Sequence, residues 1–253
     1  MNIEITNLIK NFGDKTAVNI PNFSIFQGQI LGLVGNNGAG KTTLFRLLLD
    51  LLAADKGKVE YTDETQKSID PSQSELWKKW TAAYIDDGFL IDFLTTEEYF
   101  DFIRKTGEEA KKTEEGDTVG SDHLDYDDFI KEYQDRFTNG EIFDTHKLIR
   151  DFSAGNKQKI GILSTFLNMP KILILDEPFN FLDPSSQNML KVMLKKYNEE
   201  TGATIIVSSH NLEHITEICT RVVLMEHGKI IQDIENHDRS AKVILENYFK
   251  VAE

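Results

Sequence analysis

The stretch QILGLVGNNGAGKTTLFRLLLDLL, residues 29–52, decides the fold. A short apolar run, Gln29 to Val34, enters a glycine-rich turn, and a second apolar segment leaves it. The turn holds Gly35, Asn36, Asn37, Gly38, Ala39, Gly40, Lys41, Thr42 and Thr43. It fits G-x-x-x-x-G-K-[ST] between a strand and a helix, the setting in which that pattern cradles phosphate. Gly35, Gly38 and Gly40 free the backbone to wrap an anion with N–H groups. Lys41 supplies a point charge for the β- and γ-phosphates of a nucleotide, and Thr42 a hydroxyl for Mg²⁺. The alternative is a tight glycine-rich turn, and the strand–loop–helix setting argues against it.

Further along, ILILDEP (Ile172 to Pro178) ends a buried apolar strand in two carboxylates. Open α/β sheets bind ligands at that end of their strands. Asp176 is placed to hold Mg²⁺ through water, and Glu177 to orient or deprotonate an attacking water. A pair of exposed strand-end acids is the other reading. SSHNLEH puts His210 just past another apolar strand, within reach of a γ-phosphate. FSAGNKQKI, Phe152 to Ile160, reads as the start of a helix built to hold an anion. Ser153 caps it, Gly155 lets backbone come close, and Lys157 and Lys159 add positive charge.

The remainder of the 253 residues suits a soluble globular chain with a sizeable core. Its 42 acidic residues against 28 basic ones argue against a general nucleic-acid binder. A single cysteine, Cys219, excludes an internal disulfide and reads as a buried small hydrophobe. The first residues show no secretory signal, and the most apolar run is broken by Arg46 and Asp50, so a cytosolic location is expected.

Strands are expected at 2–8, 23–26, 29–34, 172–175 and in TIIVSS, with KVEY as an edge strand. Thr95 and Glu98 form a capping box ahead of YFDFIRK. Residues 106–128, rich in Asp and Glu, read as a solvated mobile loop rather than an interaction tail. Asp183 and Pro184 open a helix as cap and first residue. RVVLMEHGKII reads as a hairpin around Gly228, and AKVILENYF as a closing helix. The fold class is α/β: a P-loop NTPase with a mainly parallel core sheet and an antiparallel N-terminal region.

In this order the motifs resemble the ATP-binding subunits of ABC transporters. The phosphate loop comes first, FSAGN stands in place of the family's signature, and ILILDEP, FLDP and SSH follow. The resemblance implies a single ABC ATPase domain over 1–253. Residues 1–85 and 153–253 would be its nucleotide-binding core, and 86–152 an inserted helical subdomain with the acidic loop near 106–128. It implies ATP and Mg²⁺ as ligands and hydrolysis to ADP and phosphate. It also implies a head-to-tail dimer, with itself or a related subunit, in which Ser153, Gly155 and Asn156 cover the nucleotide of the other chain. Asp183 would lie at the dimer seam, and Phe12 would stack on adenine unless it is a core residue. The partner would be an integral membrane permease on a separate chain, with this subunit peripheral at the inner face of the cell membrane and export the favoured direction.

Two departures stand out. The family signature begins Leu-Ser-Gly-Gly-Gln, whereas this chain has FSAGN. Where the family places a glutamine that meets Mg²⁺ and the attacking water, this chain has Asp86, followed by Asp87. Either carboxylate is a candidate replacement as a metal ligand. Competing readings are a soluble ABC-type ATP switch, a GTPase or small kinase, and an ATP-binding regulator with weak hydrolysis.

Overall fold

A computed structural model describes residues 1–62, 67–85, 90–112, 126–237 and 240–251. Two sheets organise them. The first is antiparallel, with strands in the order β2 (Lys15–Ile25), β1 (Asn2–Phe12), β4 (Lys56–Thr62) and β5 (Ser68–Ile69). The second runs β10 (Lys229–Glu235), β9 (Arg221–Glu226), β3 (Ile30–Val34), β8 (Thr204–Ser209), β7 (Ile172–Leu175) and β6 (Thr81–Tyr84). From β9 to β6 every pairing is parallel; only β10 is antiparallel, as the return arm of the hairpin at Gly228.

The central strands are apolar on both faces because both faces are covered. In β7, Ile172 and Ile174 join a core beneath the antiparallel sheet, while Leu173 and Leu175 join a second core on the other side. Helix α1 (Lys41–Leu48) lies in the first of these cores. Leu44, Phe45, Leu47 and Leu48 are buried there with Ile3, Ile5 and Ile20 of one sheet and Leu31 and Leu33 of the other. Packed between two sheets, the helix buries its apolar residues on both sides and keeps Arg46 at the surface.

Several expectations change. β1 and β2 are long strands joined at Gly13–Asp14, and β2 tolerates Pro21 because it is an edge strand. KVEY is not an edge: β4 is flanked by β1 and by the two-residue β5. The acidic stretch 106–128 is partly helical. Helix α2 (Thr96–Lys112) runs through its start, and α3 (Tyr126–Thr138) begins within its end. Residues 113–125 between them lie outside the described residues. The capping box at α2 forms as expected, Thr95 N donating to Glu98 Oε2 at 2.9 Å and Glu98 N to Thr95 Oγ1 at 3.2 Å. In α3, Phe129, Tyr133 and Phe137 make a buried stripe, and Phe129 packs at 5.6 Å, ring centroid to ring centroid, from both Phe166 and Tyr197.

Helix α4 (Ala154–Ser164) starts at the FSAGN segment, α5 (Pro184–Thr201) at the Asp183 cap, and α6 (Leu212–Ile218) just after His210. Helix α7 (Ser240–Val251) closes the chain. Cys219 is buried, and burial pushes its thiol pKa up, as expected of a core residue.

Candidate nucleotide site

The order β3-β8-β7 sets three chemistry-bearing turns side by side at the carboxyl ends of neighbouring parallel strands. The glycine-rich loop follows β3, His210 follows β8, and Asp176–Glu177 follows β7. Two glycines of the loop are dictated by close approach. At Gly35 a Cβ would lie 2.3 Å from the Met225 carbonyl oxygen, and at Gly40 2.3 Å from that of Ala17. Gly40 also has φ of 109°, a conformation other residues rarely adopt. Gly228 N donates to Ala39 O at 2.9 Å, fixing the loop against the hairpin.

Lys41 is buried, donates to Gly35 O at 2.7 Å and stands 3.3 Å from Glu177 Oε1. Thr42 Oγ1 donates to Asp176 Oδ2 at 2.5 Å. Asp176 Oδ1 accepts from Ser208 Oγ at 2.5 Å, and the same Ser208 oxygen accepts from Glu177 N at 2.8 Å. Glu177 has φ of 46°, so the backbone turns sharply between the two acids and sends them different ways. Its Oε2 lies 2.9 Å from His210 Nδ1 and accepts from His210 N at 3.3 Å. Among the described residues its Oε1 is buried without a hydrogen bond and stands beside the Lys41 charge. Lys41, Thr42, Asp176, Glu177 and His210 therefore form one cluster. The paired hydroxyl and carboxylate of Thr42 and Asp176 are hard oxygen donors of the kind Mg²⁺ takes, so the residues fit that ion.

The second candidate set sits apart. Ser153 caps α4, accepting from Asn156 N at 3.3 Å. A Cβ at Gly155 would lie 2.6 Å from Phe181 O, so the start of α4 is pressed against the FLDP turn. The Asn156 side chain donates to Glu141 Oε2 at 3.1 Å. The expectation that Lys159 adds charge to this helix start is corrected. Lys159 is buried and pairs with Asp183 Oδ2 at 3.2 Å. Asp183 also accepts from Ser186 N and Oγ, and these bonds, with Lys159, hold its carboxyl far below the usual range. Lys157 lies 3.8 Å from Asp92. Among the described residues, no hydrogen bond or ion pair joins Ser153, Gly155 or Asn156 to the phosphate loop.

Phe12 ends β1 with about half its surface exposed, 53%, which removes the core alternative. Asp86 and Asp87 lie outside the described residues. Two contributors escaped sequence reasoning. One is Ser208, which bridges both acids. The other is Gln158, buried on α4, whose Nε2 donates to Pro178 O at 2.8 Å and approaches Glu177 O at 3.4 Å. A polar residue in the middle of a buried helix was the signal for Gln158. For Ser208 it was the first serine of SSH, aligned by strand register with the DE turn.

The family model described as ABC transporter matches residues 18–180. The bacitracin transport ATP-binding protein BcrA of Enterococcus faecalis is 31% identical over 95% of this chain and 72% of its own length. The Nod factor export ATP-binding protein I of Rhizobium etli is 27% identical over 93% of this chain and 69% of its own. Among solved structures, the dimeric bacterial ABC transporter cassette MJ0796 superposes with a TM-score of 0.73 at 20% identity, covering 93% of this chain and 99% of that one. The chain thus belongs to the ABC transporter family, as one of its ATP-binding, ATP-hydrolysing subunits.

Proposed function

We propose that two such subunits, identical or related, pack head to tail and use ATP to drive a separate transmembrane permease, exporting its cargo. The observation carrying this is the cluster at the ends of β3, β8 and β7 together with a capped helix start, Ser153–Asn156, that among the described residues no hydrogen bond or ion pair joins to the phosphate loop. Such a half-site completes a nucleotide site only across an interface between chains. The transport role of BcrA and the export role of the Nod factor protein support this reading. Among the described residues no helix is long and apolar enough to cross a membrane, in keeping with a permease on another chain.

In the reaction, Lys41 exchanges Gly35 O and Glu177 for the β- and γ-phosphates. Thr42 and Asp176 would hold Mg²⁺, which supplies positive charge to the phosphate oxygens. Glu177 Oε1, buried and among the described residues without a hydrogen bond, accepts the proton of the attacking water while His210 fixes Oε2. The water oxygen bonds to the γ-phosphorus, and the bond to the bridging oxygen of ADP breaks. Ser153 and the N–H groups at the start of α4 cover the same phosphate from the other chain, with Asp183 near the seam.

Light scattering on Glu177→Gln protein tests this. With ATP and Mg²⁺ the mass should double, and with ADP it should return to that of a monomer. A monomer under both conditions, in the presence of the separately purified permease as well, refutes the head-to-tail reading. Uptake rather than efflux by the assembled transporter in vesicles refutes export alone.

A further inference from the structure

Lys41 is the only charged residue in the loop Gly35–Thr43. It faces two carboxylates, Glu177 at 3.3 Å and Asp176 beyond Thr42. A triphosphate arriving at a chain of net charge −14 therefore meets a site with little positive charge to spare before any metal binds.

A second cation stands at the loop. The turn Gly13–Asp14 between β1 and β2 delivers Lys15 beside the phosphate loop. A Cβ built on Gly38 would find Lys15 Nζ at 3.9 Å and no other atom within 4 Å. The Lys15 side chain is exposed and, among the described residues, its ammonium makes no hydrogen bond or ion pair. Its neighbour Lys10 differs, being neutralised by Asp55 at 3.0 Å. The hairpin is held firmly where it meets the loop. Thr16 Oγ1 donates to Asn11 Oδ1 at 2.8 Å, Asn11 N donates to Asp55 Oδ2 at 2.6 Å, and Ala17 O abuts Gly40. A free ammonium held by an ordered hairpin over the open side of a phosphate loop has one evident counter-ion, the polyphosphate.

We propose that Lys15 is a second phosphate-binding cation of this site, contacting the β- or γ-phosphate from the hairpin side. Phe12 and Lys15 are cross-strand partners, so one turn places an exposed ring and a free ammonium together at the site's rim. The inference rests on reading Gly35–Thr43 as the triphosphate site.

Titration calorimetry with ATP, ADP and AMP tests it on wild type, Lys15→Met, Lys15→Arg and Lys41→Met. Losing one charge-assisted contact should raise the Kd of Lys15→Met for ATP and ADP about tenfold and leave AMP within about twofold. Lys15→Arg should keep ATP within about threefold of wild type, since an arginine also reaches and carries the charge. Unchanged ATP affinity in Lys15→Met overturns the inference while the loop's assignment stands. An equal loss for AMP also overturns it, because the effect is then not on the outer phosphates. Lys41→Met binding ATP as wild type does would refute the loop's assignment and this inference with it.

Discussion

Replacing Ser208 with alanine removes one hydroxyl from the middle of the site and nothing else. Ser208 is fully buried, so water cannot substitute for it. Its Oγ donates at 2.5 Å to the Asp176 carboxylate, a bond to a charged group worth about 1.5–3 kcal/mol. It also accepts at 2.8 Å from Glu177 N, and an orphaned buried N–H costs about 1–3 kcal/mol. The two overlap, because one relaxation of the turn can relieve both, so the net loss should be about 3 kcal/mol. In a chain of this size that lowers Tm by about 6–12 °C. Thermal and guanidinium unfolding of Ser208→Ala, Asp176→Asn and the double variant give the cycle. The coupling between the two positions should be about 1–3 kcal/mol. The rate of ATP hydrolysis should fall more than ATP affinity, because the freed backbone belongs to Glu177 rather than to the phosphate loop. A coupling near zero, or a Tm within about 2 °C of wild type, would refute the account of Ser208 as the tie between the two acids.

Two further outcomes follow from the geometry. Gly155→Ala puts a methyl 2.6 Å from Phe181 O and must displace either α4 or the FLDP turn, at a cost of about 1–3 kcal/mol; hydrolysis should drop while nucleotide affinity of the monomer holds, and unchanged hydrolysis contradicts the role given to this helix start. His214 packs on Phe179 at 4.6 Å between ring centroids with its Nδ1 buried and, among the described residues, without a hydrogen bond, and burial, then the Lys191 charge, push its pKa below the usual 6.5. The unfolded chain takes up that proton first, so stability is present above pH 6.5 and is lost as pH falls through the lowered value. His214→Phe should show a smaller loss of guanidinium midpoint between pH 7.5 and 5.5 than wild type, and equal losses refute the assignment.

The chemistry was legible where residue type and strand position coincide. Asp176, Glu177 and His210 each sit one or two residues past a strand whose apolar run is visible in sequence, Lys41 and Thr42 follow β3 across its glycine-rich loop, and a parallel sheet brings such ends together. What sequence hid depends on partners distant along the chain. The role of Ser208 needs the register between β8 and β7, which pairs Leu175 with Val207. Lys159 read as a surface charge, yet its ammonium is buried because Asp183, 24 residues on, receives it. Helix α3 was masked by its acids, although Phe129, Tyr133 and Phe137 already mark a stripe at four-residue spacing. β6 is short, half-buried and at an edge, so Thr81–Tyr84 carries no alternation to read.

Gln158 gives α4 a mechanical property. Ser153, at the helix tip, and Gln158 lie five residues apart on one rigid rod, about 7.5 Å along its axis. The far point of that rod is fastened at 2.8 Å to the carbonyl that follows Glu177. The backbone there is already in a tight left-handed turn with little slack to absorb strain. A push on the tip from outside is therefore transmitted as a lever transmits load, arriving at the turn that carries Glu177, the residue proposed above as the base. The position of that carboxylate is thus set partly by whatever presses on the surface of the molecule.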